Sequence, residues 1–135
     1  MDPVQVLPAH DLPMDVPSPS EVITSEDGDK AYRWLLTETE RAHIAEMLGV
    51  PASEITRTGN LMMEDREVCS CCGKHSGLDD LVHNAFYIGI HNKDFMLDIL
   101  NNGPTGPSPG HSLYCSRCTS KFQMVAIWAS KPFPW

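Results

Sequence analysis

No apolar run in the 135-residue chain reaches the roughly 18–20 residues that a membrane-spanning helix requires, so no membrane partner is expected. A basic-then-apolar leader is missing from the opening residues, which sets the expected working place inside the cell, cytoplasmic or nuclear. Basic residues are absent from positions 1–29, which hold Asp2, Asp11, Asp15, Glu21, Glu26, Asp27 and Asp29, whereas residues 30–135 hold ten bases against eleven acids. The net charge of −8 therefore comes almost wholly from one end. A chain without a basic excess lacks the electrostatic footprint of a phosphate-backbone binder, which disfavours nucleic acid as a partner. The motifs H-E-x-x-H and H-x-E…C-x-x-C and a phosphate-cradling glycine loop are all missing, which removes the commonest zinc-hydrolase, deaminase and nucleotide-binding readings. No internal repeat is legible.

What is present divides the chain into three. Residues 1–29 carry Pro3, Pro8, Pro13, Pro17 and Pro19, which remove amide donors and turn their neighbours away from helix. They read as a disordered, acidic, proline-rich tail. The alternative is an arm that folds back or meets a basic partner, anchored by Val4, Val6, Leu7, Leu12 and Met14. Residues 30–131 read as a single zinc-binding domain, helical over 30–60 and organised by cysteines over 61–131. Residues 132–135 form a short aromatic tail. Ala31–Leu36, with Tyr32, Trp34, Leu35 and Leu36, is expected to dock on the core. Thr37-Glu38-Thr39-Glu40 fits a capping box for a helix carrying Ala42, Ile44, Ala45 and Leu48 and stopped at Gly49. Ala52–Arg57, led by Pro51, suits a second short helix. Leu78, Leu81, Val82, Ala85, Phe86 and Ile90 trace another helical stripe, opened by Asp79 and Asp80, with a strand over Phe86–Ile90 as the competing reading. Lys93–Leu100, capped by Asn92, is expected to be helical, and Asn101–Gly110 a loop.

The chemistry lies in five cysteines. Cys69/Cys72 and Cys115/Cys118 form two C-x-x-C pairs separated by 42 residues. Thiolates two residues apart on a tight turn can face one cation, and four of them satisfy a tetrahedral structural Zn2+. Gly73 permits a left-handed turn after the second ligand, and Lys74 can offset the charge of the centre. Two disulfides, a redox-active pair and an iron–sulfur cluster are the competing uses of the same thiols. Cys71 reads as a small buried side chain, or as an alternative ligand. His75, at C-x-x-C-x-x-H spacing, is the other alternative ligand.

A C-x-x-C-G-K knuckle, a long connection, and a C-x-x-C leading into an amphipathic segment (Ser120–Ala129, with Phe122, Val125, Ala126 and Ala129 on one face) resemble the treble-clef zinc-finger group. The resemblance implies Cys69, Cys72, Cys115 and Cys118 as ligands, the second pair at a helix N-terminus, and a helical insertion between the pairs. A zinc ribbon is the rival and requires residues 119–129 to form a strand. A second resemblance, at residues 38–58, is to a helix-turn-helix: Ala45, Gly49 and Ile55 stand at the corresponding spacing, with Ile44, Leu48 and Val50 as packing positions. Arg57 is its lone base and Glu54 opposes phosphate approach.

The fold expected from these signals is α+β and mainly helical, a small treble-clef-like domain stabilised by zinc. The expected function is a zinc-stabilised binding or regulatory module whose partner is another protein, with Trp128, Phe133 and Trp135 as its contact surface. One alternative is a small zinc-dependent enzyme with an open metal position near Cys72/His75 and Glu64 or Asp79 as proton carrier. The other is a helix-turn-helix DNA-binding regulator. No catalytic residue is assigned, and Asp79, Asp80 and His83 read as a solvated helix face with a helpful ion pair.

Overall fold

Strand pairing begins earlier than the proline spacing suggests. The computed structural model describes residues 15–87, 94, 97, 98 and 110–129. Glu21–Thr24 (β1) and Lys30–Leu35 (β2) pair antiparallel, with Glu21 opposite Arg33 and Thr24 opposite Lys30. Ser25–Asp29 closes the hairpin, Ser25 N donating to Asp29 O at 2.8 Å. β1 lies inside the stretch expected to hold no regular element. Past Pro19 the β-branched run Val22-Ile23-Thr24 suits an edge strand, and β2 supplies its hydrogen bonds. Gly59–Met62 (β3) pairs with the other side of β2, Trp34 facing Asn60 and Leu35 facing Gly59. A Cβ at Gly59 would meet Trp34 O at 2.5 Å, so the strands close only on glycine there.

Between β2 and β3 runs Glu38–Leu48 (α1), and its capping box is complete. Glu40 N donates to Thr37 Oγ1 at 3.1 Å, and Thr37 N donates to Glu40 Oε2 at 2.8 Å. Gly49 ends the helix in the left-handed region at φ 67. Ile44, Ala45, Met47 and Leu48 are buried, while Ala42 faces out. The second helix expected over Ala52–Arg57 is a single 3₁₀ turn, Ala52–Glu54, after which Ile55 plunges into the core and the chain enters β3. A helix-turn-helix therefore does not form at 38–58. Arg41 explains the short turn: its guanidinium donates to the carbonyls of Ile55 and Arg57, holding them away from helical partners.

Leu78–Tyr87 (α2) is the helix expected from the periodicity, and it packs on α1. Of the expected Lys93–Leu100 helix, Asp94, Leu97 and Asp98 are helical; the remainder, with Ile90 and most of the 101–110 loop, lies outside the described residues.

The largest departure concerns the last segment. Ser120–Ala129 is not a helix: Lys121–Ala126 (β5) is a strand, antiparallel to His111–Tyr114 (β4). Phe122 and Ala126 are buried at the two-residue alternation of a strand, with half-buried Met124 between them. The described residues thus hold two full helices and five strands in two antiparallel sheets, which overturns the mainly helical, treble-clef-like architecture with its helical insertion. Beyond β5 the chain crosses to the first sheet and lies along β3. Met63 N donates to Ile127 O and Ala129 N to Leu61 O, both at 2.9 Å. Trp34, Ile44, Leu48, Met62, Leu78, Val82, Leu113 and Phe122 form one core under both sheets; Ala31, Leu61 and Ala129 form a second, smaller one. No described helix is long and apolar enough to cross a membrane.

Candidate metal centre

Two short hairpin turns with the same pair of closing backbone hydrogen bonds carry the four cysteines of the C-x-x-C pairs. In the first, Gly73 N donates to Cys69 O at 2.9 Å and Cys69 N to Lys74 O at 2.8 Å. In the second, Thr119 N donates to Cys115 O at 2.9 Å and Cys115 N to Ser120 O at 2.8 Å. The residue after each second cysteine is left-handed, Gly73 at φ 82 and Thr119 at φ 68. The flanks match as well, Val68 pairing with His75 and Tyr114 with Lys121. Each second sulfur accepts the amide two residues on, Lys74 N–H for Cys72 and Ser120 N–H for Cys118. Gly73 was legible as the left-handed residue; Thr119 was not, because a β-branched side chain is rare there.

The turns meet so that the first cysteine of each faces the second of the other. Sγ of Cys69 and Cys118 lie 3.5 Å apart, Sγ of Cys72 and Cys115 3.6 Å apart, and all four sulfurs lie within 4.8 Å of one another. A tetrahedron with Zn–S bonds of about 2.3 Å has edges of about 3.8 Å, so the donor set fits one such ion. The same closeness leaves no room for a cluster of iron and sulfide. All five cysteines are free. Cys69 and Cys115 are buried, and Cys72 and Cys118 are half-buried. Burial pushes the Cys72 thiol up, and burial together with the nearby Asp80 charge pushes up that of Cys115. Burial opposes ionisation of Cys118 too, but the Ser120 hydroxyl and amide outweigh it and bring the thiol down to about 6.

Behind the sulfurs lies a charged cluster that no local pattern announces. Lys74 is 8% exposed, and oxygen acceptors surround its ammonium. It donates to His75 O (3.0 Å), Asp79 Oδ1 (2.9 Å) and Asp80 Oδ2 (2.8 Å). Burial alone would lower its pKa; the two carboxylates overcome that and raise it. Asp79 Oδ2 lies 3.0 Å from His43 Nδ1. Burial pulls the Asp79 carboxyl upward, and the Lys74 charge and the His43 hydrogen bond hold it well below the ordinary range. Burial raises Asp80, against the pull of Lys74. Asp79, Asp80 and His83 are therefore interior groups, not the solvated helix face expected. Nearby, Arg66 donates to Glu40 Oε1 (3.0 Å) and Ser76 O (2.8 Å), its guanidinium 5.6 Å from the Trp34 ring centre.

A bulge joins this centre to the second sheet. From Ser112 to Tyr114 β4 advances two residues while β5 advances four, from Lys121 to Val125. The freed amides of Gln123 and Met124 donate to Glu67 Oε2 and Oε1, both at 2.7 Å. Val125 N donates to Glu64 Oε2 at 3.2 Å. Glu67 immediately precedes the first turn, so one carboxylate ties it to β5.

The alternative ligands fall outside the tetrad. Cys71 is exposed at the tip of the first turn, not a buried side chain, and His75 is half-buried in the strand pair with Val68. Glu64 and Asp79, considered as proton carriers, hold Val125 N and Lys74. Trp128 is half-buried against the main core, and Phe133 and Trp135 lie outside the described residues.

Fold and site define a small α+β domain whose four clustered cysteines can hold a metal ion. Residues 20–134 match the family model described as Domain of unknown function (DUF8243), and the chain belongs to that family. No curated protein and no solved structure matches it.

Proposed function

We propose that the chain is a binding module assembled around one structural Zn2+, held by Cys69, Cys72, Cys115 and Cys118, that works through contacts with another protein in the reducing interior of the cell. The observation that carries this reading is the meeting of two equivalent turns with four free sulfurs inside 4.8 Å. An ion bound there would cross-link segments more than forty residues apart, and its binding free energy would add to that of the fold. Two hairpin turns, the second leading into β5, suit the zinc-ribbon alternative.

Four thiolates close the shell, whereas catalysis by zinc requires an open position. His75 outside the tetrad and the engaged carboxylates of Glu64 and Asp79 weigh against the enzyme alternative. The DNA-binding alternative loses its second helix. The lack of a basic excess from residue 30 onward favours a protein partner over nucleic acid.

The test counts metal and thiols together on purified, reduced protein. One zinc per chain is expected, with only the exposed Cys71 reacting rapidly with a thiol reagent and all five reacting after chelation. Two or more fast thiols in the zinc-loaded protein would mean an open shell, and no retained zinc would sink the proposal. A tagged-chain capture that recovers a saturable, salt-tolerant protein partner supports the contact role; steeply salt-dependent duplex binding would replace it with nucleic acid.

A further inference from the structure

Asp80 spans both cysteine turns, though it belongs to neither. Its carboxylate is fully buried, and each oxygen is committed. Oδ2 accepts Lys74 Nζ and Gly77 N, both at 2.8 Å, on the side of the first turn. Oδ1 accepts Ser116 N at 2.7 Å, inside the second turn, between Cys115 and Cys118. One helical turn further along α2, Asn84 acts in the same direction. Its Nδ2 donates to Tyr114 O at 2.8 Å and its Oδ1 accepts Tyr114 N at 3.0 Å, completing the backbone pairing of the residue before Cys115. Asn84 Nδ2 also donates to the Asp80 backbone carbonyl at 2.7 Å, which holds the Asn84 side chain against the helix one turn back.

Asp79 separates this role from mere burial of charge. It is equally buried and shares the same ammonium, but its oxygens go to Lys74, His43 and Asp80 N, and none of these belongs to residues 114–118. Two adjacent acids therefore do different things: Asp79 ties α2 to α1 and the first turn, and Asp80 ties the first turn to the second.

We propose that Asp80 is a positioning residue of the metal centre, which with Asn84 sets the two cysteine turns against each other before an ion arrives and thereby sets the affinity for it. This rests on the reading that the tetrad holds a metal. The four sulfurs then converge on protein contacts alone, and the ion finds a made site rather than two loops to gather. Asparagine at position 80 keeps the shape but offers one acceptor oxygen where two are used, so one turn must be released. Groups that orient metal ligands typically change affinity by about 10–100-fold when removed.

The experiment titrates reduced, full-length protein with Co2+, read by thiolate charge-transfer and d–d absorption, and displaces it with Zn2+. Asp80→Asn is expected to weaken both affinities by about 10–100-fold while keeping the four-thiolate spectrum at saturation. Asp79→Asn is expected to lower stability but to shift affinity by less than about threefold, because it leaves the second turn held. Asn84→Ala, which removes the grip on Tyr114 together with a bond to the Asp80 carbonyl inside α2, leaves the Asp80 carboxylate in place; it is expected to weaken affinity by about three- to tenfold and serves if Asp80→Asn does not fold. Wild-type affinity in Asp80→Asn overturns the positioning role, as does an equal loss in Asp79→Asn; should Asp80→Asn not fold, wild-type affinity in Asn84→Ala overturns it. If the unaltered protein gives no four-thiolate cobalt spectrum, the metal reading itself falls, an outcome distinct from the failure of Asp80.

Discussion

Thr119→Gly is expected to stabilise the protein, although it removes a side chain at an exposed site. Thr119 occupies the left-handed region at φ 68, the place Gly73 fills in the matching turn. That conformation costs a side-chain-bearing residue about 1–2 kcal/mol. Glycine's greater freedom in the unfolded chain gives back about 0.4–1 kcal/mol of the gain. The net is a stabilisation of about 0.5–1 kcal/mol, or about 2–5 °C in Tm for a chain of this size. Gly73→Thr supplies the mirror experiment. A Cβ at Gly73 meets nothing within 4 Å, so no clash adds to the backbone strain, and a loss of about 0.5–1 kcal/mol is expected. Urea unfolding with reductant and chelator isolates the protein term, and repetition in saturating zinc tests whether the conformation is the same with metal. Both substitutions lowering stability would refute the equivalence of the turns, and with it the geometric argument for a shared site.

Glu67→Ala should cost about 2–3 kcal/mol, since two charge-assisted hydrogen bonds are lost and water replaces part of them; Glu67→Gln, which keeps one acceptor, should recover about half in urea titrations. Arg66→Lys should destabilise by about 2–4 kcal/mol in the same assay, because an ammonium cannot span Glu40, Ser76 O and Leu35 O together. Asp79 has a depressed pKa in the folded state, so its contribution is complete above the ordinary carboxylate range and is lost as pH falls through the folded value. Unfolding of chelated protein at neutral pH and near pH 3 should show a loss that Asp79→Asn blunts, and an identical acid profile in that variant would refute the assignment.

Local signals were legible in the sequence where partners lie within a few residues. The capping box at Thr37 and Glu40, the stop at Gly49, the α2 periodicity and the C-x-x-C turns all close over short distances, and each is present. The last segment was misread because Phe122, Val125, Ala126 and Ala129 satisfy a helical spacing as well as a mixed strand does. Pairing with β4, seven to fifteen residues away, decides between them. Asp79 and Asp80 were legible as helix-start acids on a solvated face, but not as buried groups, since their partners Ser116 and His43 stand 36 residues off in either direction. Glu67 met its amides 56 and 57 residues away, at a bulge that nothing in β5 announces.

The run Ile127–Ala129, laid against β3, also bears on synthesis. While a ribosome is still making the chain, β1, β2 and β3 have been extruded long before the strip that seals them, and one row of β3 backbone donors and acceptors stands open to any neighbouring nascent strand. Native pairing there must wait until residues 127–129 have been made, and until then that edge is a template for non-native strand pairing.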